Sequence, residues 1–335
     1  MAPLTPMMQQ YVETKKQYKD CILLYRLGDF YEMFFDDAII ASKALEITLT
    51  GKDCGQEERA PMCGIPYHAL DGYLSKLIEK GYKAAICEQM EDPKTAKGIV
   101  KREVIRIVTP GTNLSIQSLD ETKNNYLMCL FYMDERFGVS VADISTGDYY
   151  MTEVDSDKKV LDEITKYAPA EIVYNDYFPM CGIDLEDIGE KMRISVSALE
   201  SWYSDEALCI QKLKEHFHVA SLDGLGLSDY PTGTIAAGML LQYLYETQKN
   251  ALPQMTKITP YHTERFMVLD TATRRNLELL ETLREKQKRG SLLWVLDKTK
   301  TAMGARFLRN CIEQPFLQKD LIERRLESLD ELNED

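Results

Sequence analysis

The 335-residue chain carries 54 acidic against 40 basic side chains, a formal net charge of −14, and 44% of its residues are hydrophobic. That apolar share supplies cores for two or three domains and excludes a predominantly disordered chain, while the charge excludes a generic nucleic-acid coat. The first ten residues, MAPLTPMMQQ, have neither a basic nor an apolar leader character, and no apolar run approaches the roughly 18 residues of a membrane span, so the expectation is a cytoplasmic protein with no membrane partner.

Along the chain, Thr5-Pro6 reads as the N-cap and first position of a helix carrying Met8, Tyr11, Val12 and Tyr18. "CILLYRL" (21–27) reads as a strand, and Asp36-Asp37 opens a helix, "DDAIIASKAL", with two acids at the positive end of its dipole. "EITLTGKD" reads as a further strand. Leu70, Tyr73, Leu74, Leu77 and Ile78 then mark one face of a helix that Gly81 ends with a left-handed cap. "KAAICEQM" and "REVIRIVTP" complete a mixed α/β domain over residues 1–111, and the polar stretch 112–125 reads as a linker.

A second α/β domain spans 126–256. It opens with hairpin-forming runs in "YLMCLFYMDERFGVSVADISTGDYYMTEV", alternates helices with strands, and contains the long apolar helix "TGTIAAGMLLQYLYETQK". From 257 the chain turns helical: "RFMVLD" reads as a short strand, "TATRRNLELLETLREKQ" as a capped, charge-laced helix, and two more helical stretches run to residue 335, as in a helical domain cut short. Charge is uneven across these parts. Residues 1–120 hold 15 basic and 17 acidic groups, residues 121–260 hold 11 and 23, and residues 261–335 hold 14 of each, so the first part is the better candidate for meeting phosphates. The eight cysteines include no C-x-x-C pair and read as reduced core thiols. The four histidines, with His216 and His218 the nearest pair, make no metal motif with them.

Between the first strand and its helix lies "YRLGDFYEMFFDDA" (25–38). In an extended chain Phe30, Glu32 and Phe34 share one face while Tyr31, Met33 and Phe35 share the other. The second set can go inside. The first sets an apolar ring beside a carboxylate, which suits neither a core nor an ordinary surface.

In order and spacing, "TPMMQQY", "LLYRLGDFYEMFFDDA", "PMCGIPYHA", "AAICEQMEDP" and "VIRIVTPGT" resemble the amino-terminal domain of the bacterial MutS family of DNA mismatch-recognition proteins. "DISTGDYY" and "LDTATRRNLELL … LLWVLDKTKTAMGARFLRN" resemble its connector domain and the start of its lever domain, so the resemblance covers the whole chain. It implies an α/β fold: a mixed-sheet mismatch-binding domain, a ribonuclease H-like connector and the beginning of an α-helical lever. It further implies that Phe30 enters the minor groove and stacks on a mispaired base while Glu32 hydrogen-bonds that base. Where the base offers only an acceptor such as purine N7, Glu32 donates only if protonated. Lys52 and Arg102 match positions of basic backbone contacts, and Met62 and Pro66 a loop near the DNA, although solvated cations and a packed methionine are the ordinary reading of such residues.

The partners implied are duplex DNA with a mispaired or unpaired base, a MutL-type repair protein docking on the acidic connector, and a second copy in a homodimer. The family also hydrolyses ATP with Mg, but no G-x-x-x-x-G-K-[ST] loop occurs in these 335 residues and "TGKDCG" lacks its spacing, so no cofactor is expected within the chain. Two rivals remain. One is a two-metal nuclease using Asp134, Asp143 and Asp148. The other is a family relative that binds DNA junctions without reading mismatches, against which the Phe-x-Glu pair counts.

Overall fold

Pro6 begins the first helix, α1 (Pro6–Gln17), but Thr5 caps it through its carbonyl, which accepts from the Gln9 N–H, and not through its hydroxyl. A computed structural model describes residues 3–91, 98–114 and 120–334. After α1 come β1 (Cys21–Leu27), β2 (Phe30–Phe34), α2 (Phe35–Leu45), β3 (Thr50–Lys52), β4 (Ala60–Pro66), α3 (Leu70–Glu79), β5 (Lys83–Gln89) and β6 (Arg102–Val108). The strands form one mixed sheet in the order β3-β4-β2-β1-β5-β6, with β1 parallel to β5 and the other neighbours antiparallel.

Both faces of this sheet are covered. Tyr31, Met33, Ile22, Leu24 and Ile65 pack under α2 and α3, whose Leu74, Leu77 and Ile78 are buried as the periodicity requires, and Gly81 takes φ +82 just past the helix. Tyr25, Leu23, Phe34 and Ala85 pack on the other side with Met8 and Tyr11 of α1. Asp37, only 5% exposed, joins these parts: its carboxylate accepts from the Leu23 N–H at 3.0 Å and the Tyr11 hydroxyl at 3.2 Å and pairs with Lys15 at 2.9 Å.

Two sequence expectations are corrected in this region, and the face that Phe30 shares proves divided. Phe34 shares its face with Phe30 and Glu32 but is buried, because α1 lies over that end and Tyr11 meets the Phe34 ring edge-on at 4.9 Å. Phe35 leaves the strand altogether, its φ of +54 turning the chain into α2. The strand expected over 46–53 shrinks to Thr50–Lys52, since Glu46 adopts the left-handed conformation that ends α2. Strand β4 has weak sequence signals, with two prolines and a glycine in seven residues, yet it pairs on both edges. Of the expected linker, residues 115–119 lie outside the described residues; Pro110–Thr112 form a short helical turn closed by the Thr109 and Thr112 hydroxyls.

The strands β7 (Leu127–Met133), β8 (Arg136–Asp143) and β9 (Asp148–Val154) form the expected antiparallel meander. They are followed by α4 (Asp157–Tyr167), β10 (Glu171–Tyr174), α5 (Leu185–Met192), β11 (Ser195–Ala198), α6 (Glu206–Phe217), α7 (Pro231–Gln248) and a two-residue strand, β12 (Thr259–Pro260). The sheet order is β11-β10-β7-β8-β9-β12, with β10 parallel to β7 and β11 parallel to β10, the mixed topology of a ribonuclease H-like domain. Gly238 lets α7 approach α6, for a Cβ there would lie 2.3 Å from that of Cys209.

The chain clusters into two compact units, Met1–Leu119 with Tyr243–Pro253, and Asp120–Gln242 with Gln254–Asp335. Within the second unit the expected strand over 265–270 is reduced to a single bridge between Phe266 and Phe316. The expected helix over 271–287 stops early as α8 (Thr271–Asn276), and Glu278 and Lys286 take φ of +48. Leu277 and Leu283 remain exposed there and Leu279 is buried in the turn itself, so the charge-laced sequence gains little further apolar burial by continuing as a helix. Helices α9 (Leu292–Leu296), α10 (Ala302–Glu313) and α11 (Lys319–Glu334) follow. Among the described residues no helix is long and apolar enough to cross a membrane.

Candidate nucleic-acid interface

A tight turn at Gly28-Asp29, with Gly28 at φ +59, folds β2 back on β1 and sets Phe30 opposite Leu27. Across the other edge of β2, Phe30 faces Pro66, Glu32 faces Gly64 and Phe34 faces Met62. Directly paired residues lie on the same side of a sheet. Phe30, Glu32, Phe34, Met62 and Pro66 therefore share the face that α1 covers, and Lys52 reaches it from β3.

Cover is complete only at one end of that face. Phe34 is 1% exposed and Phe30 is 46% exposed, although they are the same residue type on the same strand face. Pro66 and Leu27 beside Phe30 are half-buried. The open end of the sheet thus offers an aromatic ring edged by proline and leucine, with a carboxylate two residues along.

That carboxylate is paired. Lys52 Nζ lies 2.5 Å from Glu32 Oε2, with side-chain exposures of 32% for the lysine and 15% for the glutamate. The ammonium also lies 5.6 Å from the Phe34 ring. Gly64, paired with Glu32, contributes no side chain on this face.

Arg102 takes a more internal place. Its guanidinium lies 5.1 Å from the Tyr25 ring and donates to the Arg26 carbonyl at 2.8 Å, the Gln10 side-chain oxygen at 3.0 Å and the Val100 carbonyl at 3.0 Å, so it ties α1 to β1. Burial pushes the Tyr25 phenol up to about 12, and Arg102 offsets part of that rise. Met62 is half-buried and packs against the core under α1, its sulfur accepting from the Thr50 hydroxyl at 3.7 Å. Of the six sequence candidates, the structure gathers Phe30, Glu32, Lys52 and Pro66 at or beside the open end, while Met62 and Arg102 serve the packing behind it.

Two neighbours were not singled out by sequence. Tyr67, next to Pro66, is 45% exposed, and the Arg26 guanidinium lies 4.0 Å from its ring; Arg26 in turn lies 3.6 Å from Glu88. An aromatic directly after the proline that ends a strand was the available signal. Arg26 pairs with Tyr31, so this stacked ring lies at the same end of the sheet as Phe30 but on its opposite face.

In the second unit, two of the three candidate nuclease acids are hydrogen-bonded near their own turn and the third sits in an exposed one. Asp134 lies in the exposed β7–β8 turn at φ +50. Asp143 is buried and accepts from Asn124 Nδ2 at 2.8 Å, the Asn125 N–H at 3.0 Å, and the Ser145 N–H and hydroxyl at 2.8 and 2.6 Å. Asp148 accepts from Asn124, Thr146 and Tyr150. Among the described residues no group of three His, Cys, Asp or Glu side chains could hold a metal ion. "TGKDCG" does not fit a phosphate loop either: Gly51 is inside β3, and a Cβ on Gly55 would meet the Pro3 carbonyl at 2.9 Å.

Residues 5–117 match the family model described as MutS domain I, residues 125–256 MutS domain II, and residues 272–335 MutS domain III. Among relatives, the chain is 69% identical over 334 residues to the DNA mismatch repair protein MutS of Lachnoclostridium phytofermentans, an alignment covering 100% of this chain and 36% of that protein. It is 51% identical over 335 residues to the protein of the same name from Ruminiclostridium cellulolyticum, covering 99% and 38%. A similar match, 50% over 339 residues, is to that of Clostridioides difficile, covering 100% and 35%. The chain thus spans little more than a third of the length of these relatives.

Proposed function

Because the chain belongs to the MutS family, we propose that its first unit recognises mispaired or unpaired bases in duplex DNA and so initiates mismatch repair, with Phe30 as the stacking wedge and Glu32 as the hydrogen-bonding partner. The observation that carries this reading is the half-exposed ring of Phe30 on a face whose other phenylalanine is fully buried. An exposed apolar ring costs free energy in water, and a wedge between base steps is a use for one. Unstacking a step costs a few kcal/mol and ring–base stacking returns about 1–3 kcal/mol. A well-stacked pair then resists insertion and a weakly stacked mispair admits it. Stacking needs only a π-face, so one ring serves many mismatches, and Glu32 adds a polar contact to the displaced base.

By the same family reasoning the protein acts in the bacterial cytoplasm as a homodimer and passes the signal to a MutL-type partner through the acidic second unit. ATP hydrolysis with Mg is assigned to no residue of this chain.

The test is binding of the complete natural polypeptide carrying this sequence to duplexes with one G·T mispair or one unpaired T, against perfect duplex, over a range of salt. Phe30→Ala is expected to lower mismatch affinity by about 5- to 150-fold, the equivalent of the lost stacking. Salt-sensitive binding to perfect duplex should persist. If the parent has no preference, or the variant keeps it, the wedge reading fails and a junction-binding relative takes its place.

A further inference from the structure

We propose that Lys52 is a positioning residue for Glu32 and not a phosphate contact: bonded to one carboxylate oxygen, it neutralises and orients Glu32 so that the other oxygen faces the mispaired base as a hydrogen-bond acceptor. The proposal rests on the reading of Phe30 and Glu32 given above. A lone carboxylate advancing on a duplex meets the like charge of the phosphates. The Glu32 carboxylate does not stand alone, since the Lys52 ammonium binds one of its oxygens, Oε2, at 2.5 Å.

The partial cover matters here. The glutamate side chain is 15% exposed and the lysine 32%, so the pair is neither buried enough to be purely structural nor solvated enough to be screened away. The lysine ammonium also lies 5.6 Å from the Phe34 ring, which fixes its stem along the same sheet face as Glu32. A carboxylate oxygen held in this way matches a base that presents a free imino N–H, as the N3–H of an unpaired thymine does. A carboxylate that has lost the lysine loses its fixed direction.

A phosphate contact and a positioning contact leave different signatures. Removing a phosphate contact weakens perfect and mismatched duplexes alike and lowers the salt slope by about one. Removing a positioning contact lowers the ratio of mismatch to perfect-match affinity without changing the slope, and only while its target is present. The experiment measures both quantities in the complete polypeptide for Lys52→Met, Lys52→Arg, Glu32→Gln and Lys52→Met with Glu32→Gln, using unpaired-T and perfect duplexes.

The expected result is a loss in ratio of about three- to tenfold for Lys52→Met, recovery by Lys52→Arg, no change in salt slope, and no further loss when Lys52→Met is added to Glu32→Gln. A uniform loss with a reduced slope makes Lys52 a phosphate contact and overturns the proposal. So does an unchanged ratio, or an undiminished loss in the Glu32→Gln background. Amide exchange of the β4 segment in Lys52→Met guards against misfolding, since a positioning role leaves that protection intact. Phe30→Ala measured alongside separates the two readings: if it retains mismatch preference, the site assignment fails irrespective of Lys52.

Discussion

Replacing Phe30 and Phe34 separately by alanine tests whether the face they share is divided into a packed end and an offered end. Fully burying a phenylalanine side chain is worth about 1.5–3 kcal/mol, and truncating one in a core costs about 3–5 kcal/mol once the cavity is included. Phe34 is 1% exposed and meets the Tyr11 ring at 4.9 Å, so Phe34→Ala should cost the full amount. Phe30 is 46% exposed, so Phe30→Ala should cost roughly 1 kcal/mol, about half the transfer value with little cavity. Both tryptophans, Trp202 and Trp294, lie in the second unit, so intrinsic tryptophan fluorescence does not report directly on this change. Amide hydrogen exchange over β1, β2 and β4 reads it locally. Phe34→Ala should lower protection there by two to three powers of ten or more and Phe30→Ala by about one or less, at about 1.4 kcal/mol per power of ten. Equal losses from the two variants would mean that Phe30 is a core residue, and the argument for an offered ring would collapse.

Asp37→Ala should cost about 1–3 kcal/mol in urea denaturation followed by circular dichroism, because it strands the Leu23 N–H while the Tyr11 hydroxyl keeps the Phe34 carbonyl and the Lys15 ammonium keeps the Cys21 carbonyl, whereas a cost below about 0.5 kcal/mol would show that water replaces the carboxylate. His216, whose ring nitrogen lies 2.7 Å from the Met255 carbonyl, has its pKa pushed below the ordinary 6.5, first by burial and further by His218 and Lys212, with the Met255 bond opposing the shift. The unfolded chain therefore takes up this proton before the folded one does, so the contribution is constant above about pH 6.5 and stability falls as the pH drops from there toward the lowered folded value. His216→Gln should remove that acid-side decline, and an NMR midpoint for His216 at or above 6.5 would refute the assignment.

By itself the sequence determined the element types wherever a local pattern was strong. The 3.6-residue stripe from Leu70 to Ile78, the apolar run Cys21–Leu27 and the meander ending at Val154 could bury their side chains in only one regular form, and the structure has them so. It also singled out Phe30 and Glu32 as a pair that no core explains. Only tertiary structure decided that Phe34, with the same alternation, is sealed while Phe30 is not, because that depends on where α1 ends its path across the sheet. The strand at Ala60–Pro66 escaped the sequence reading for a related cause: its prolines and glycine weaken the local signal, and pairing with β2 and β3 supplies what propensity lacks. In the opposite direction, the charged stretch after Asn276 had a helical pattern and yielded turns, since too little apolar contact rewards its helix. The meeting of Lys52 with Glu32, twenty positions apart and separated by a whole strand, was invisible for the same reason. Side-chain periodicity is a local property of the chain, while cover, exposure and charge pairing are fixed by which distant segment arrives on which face.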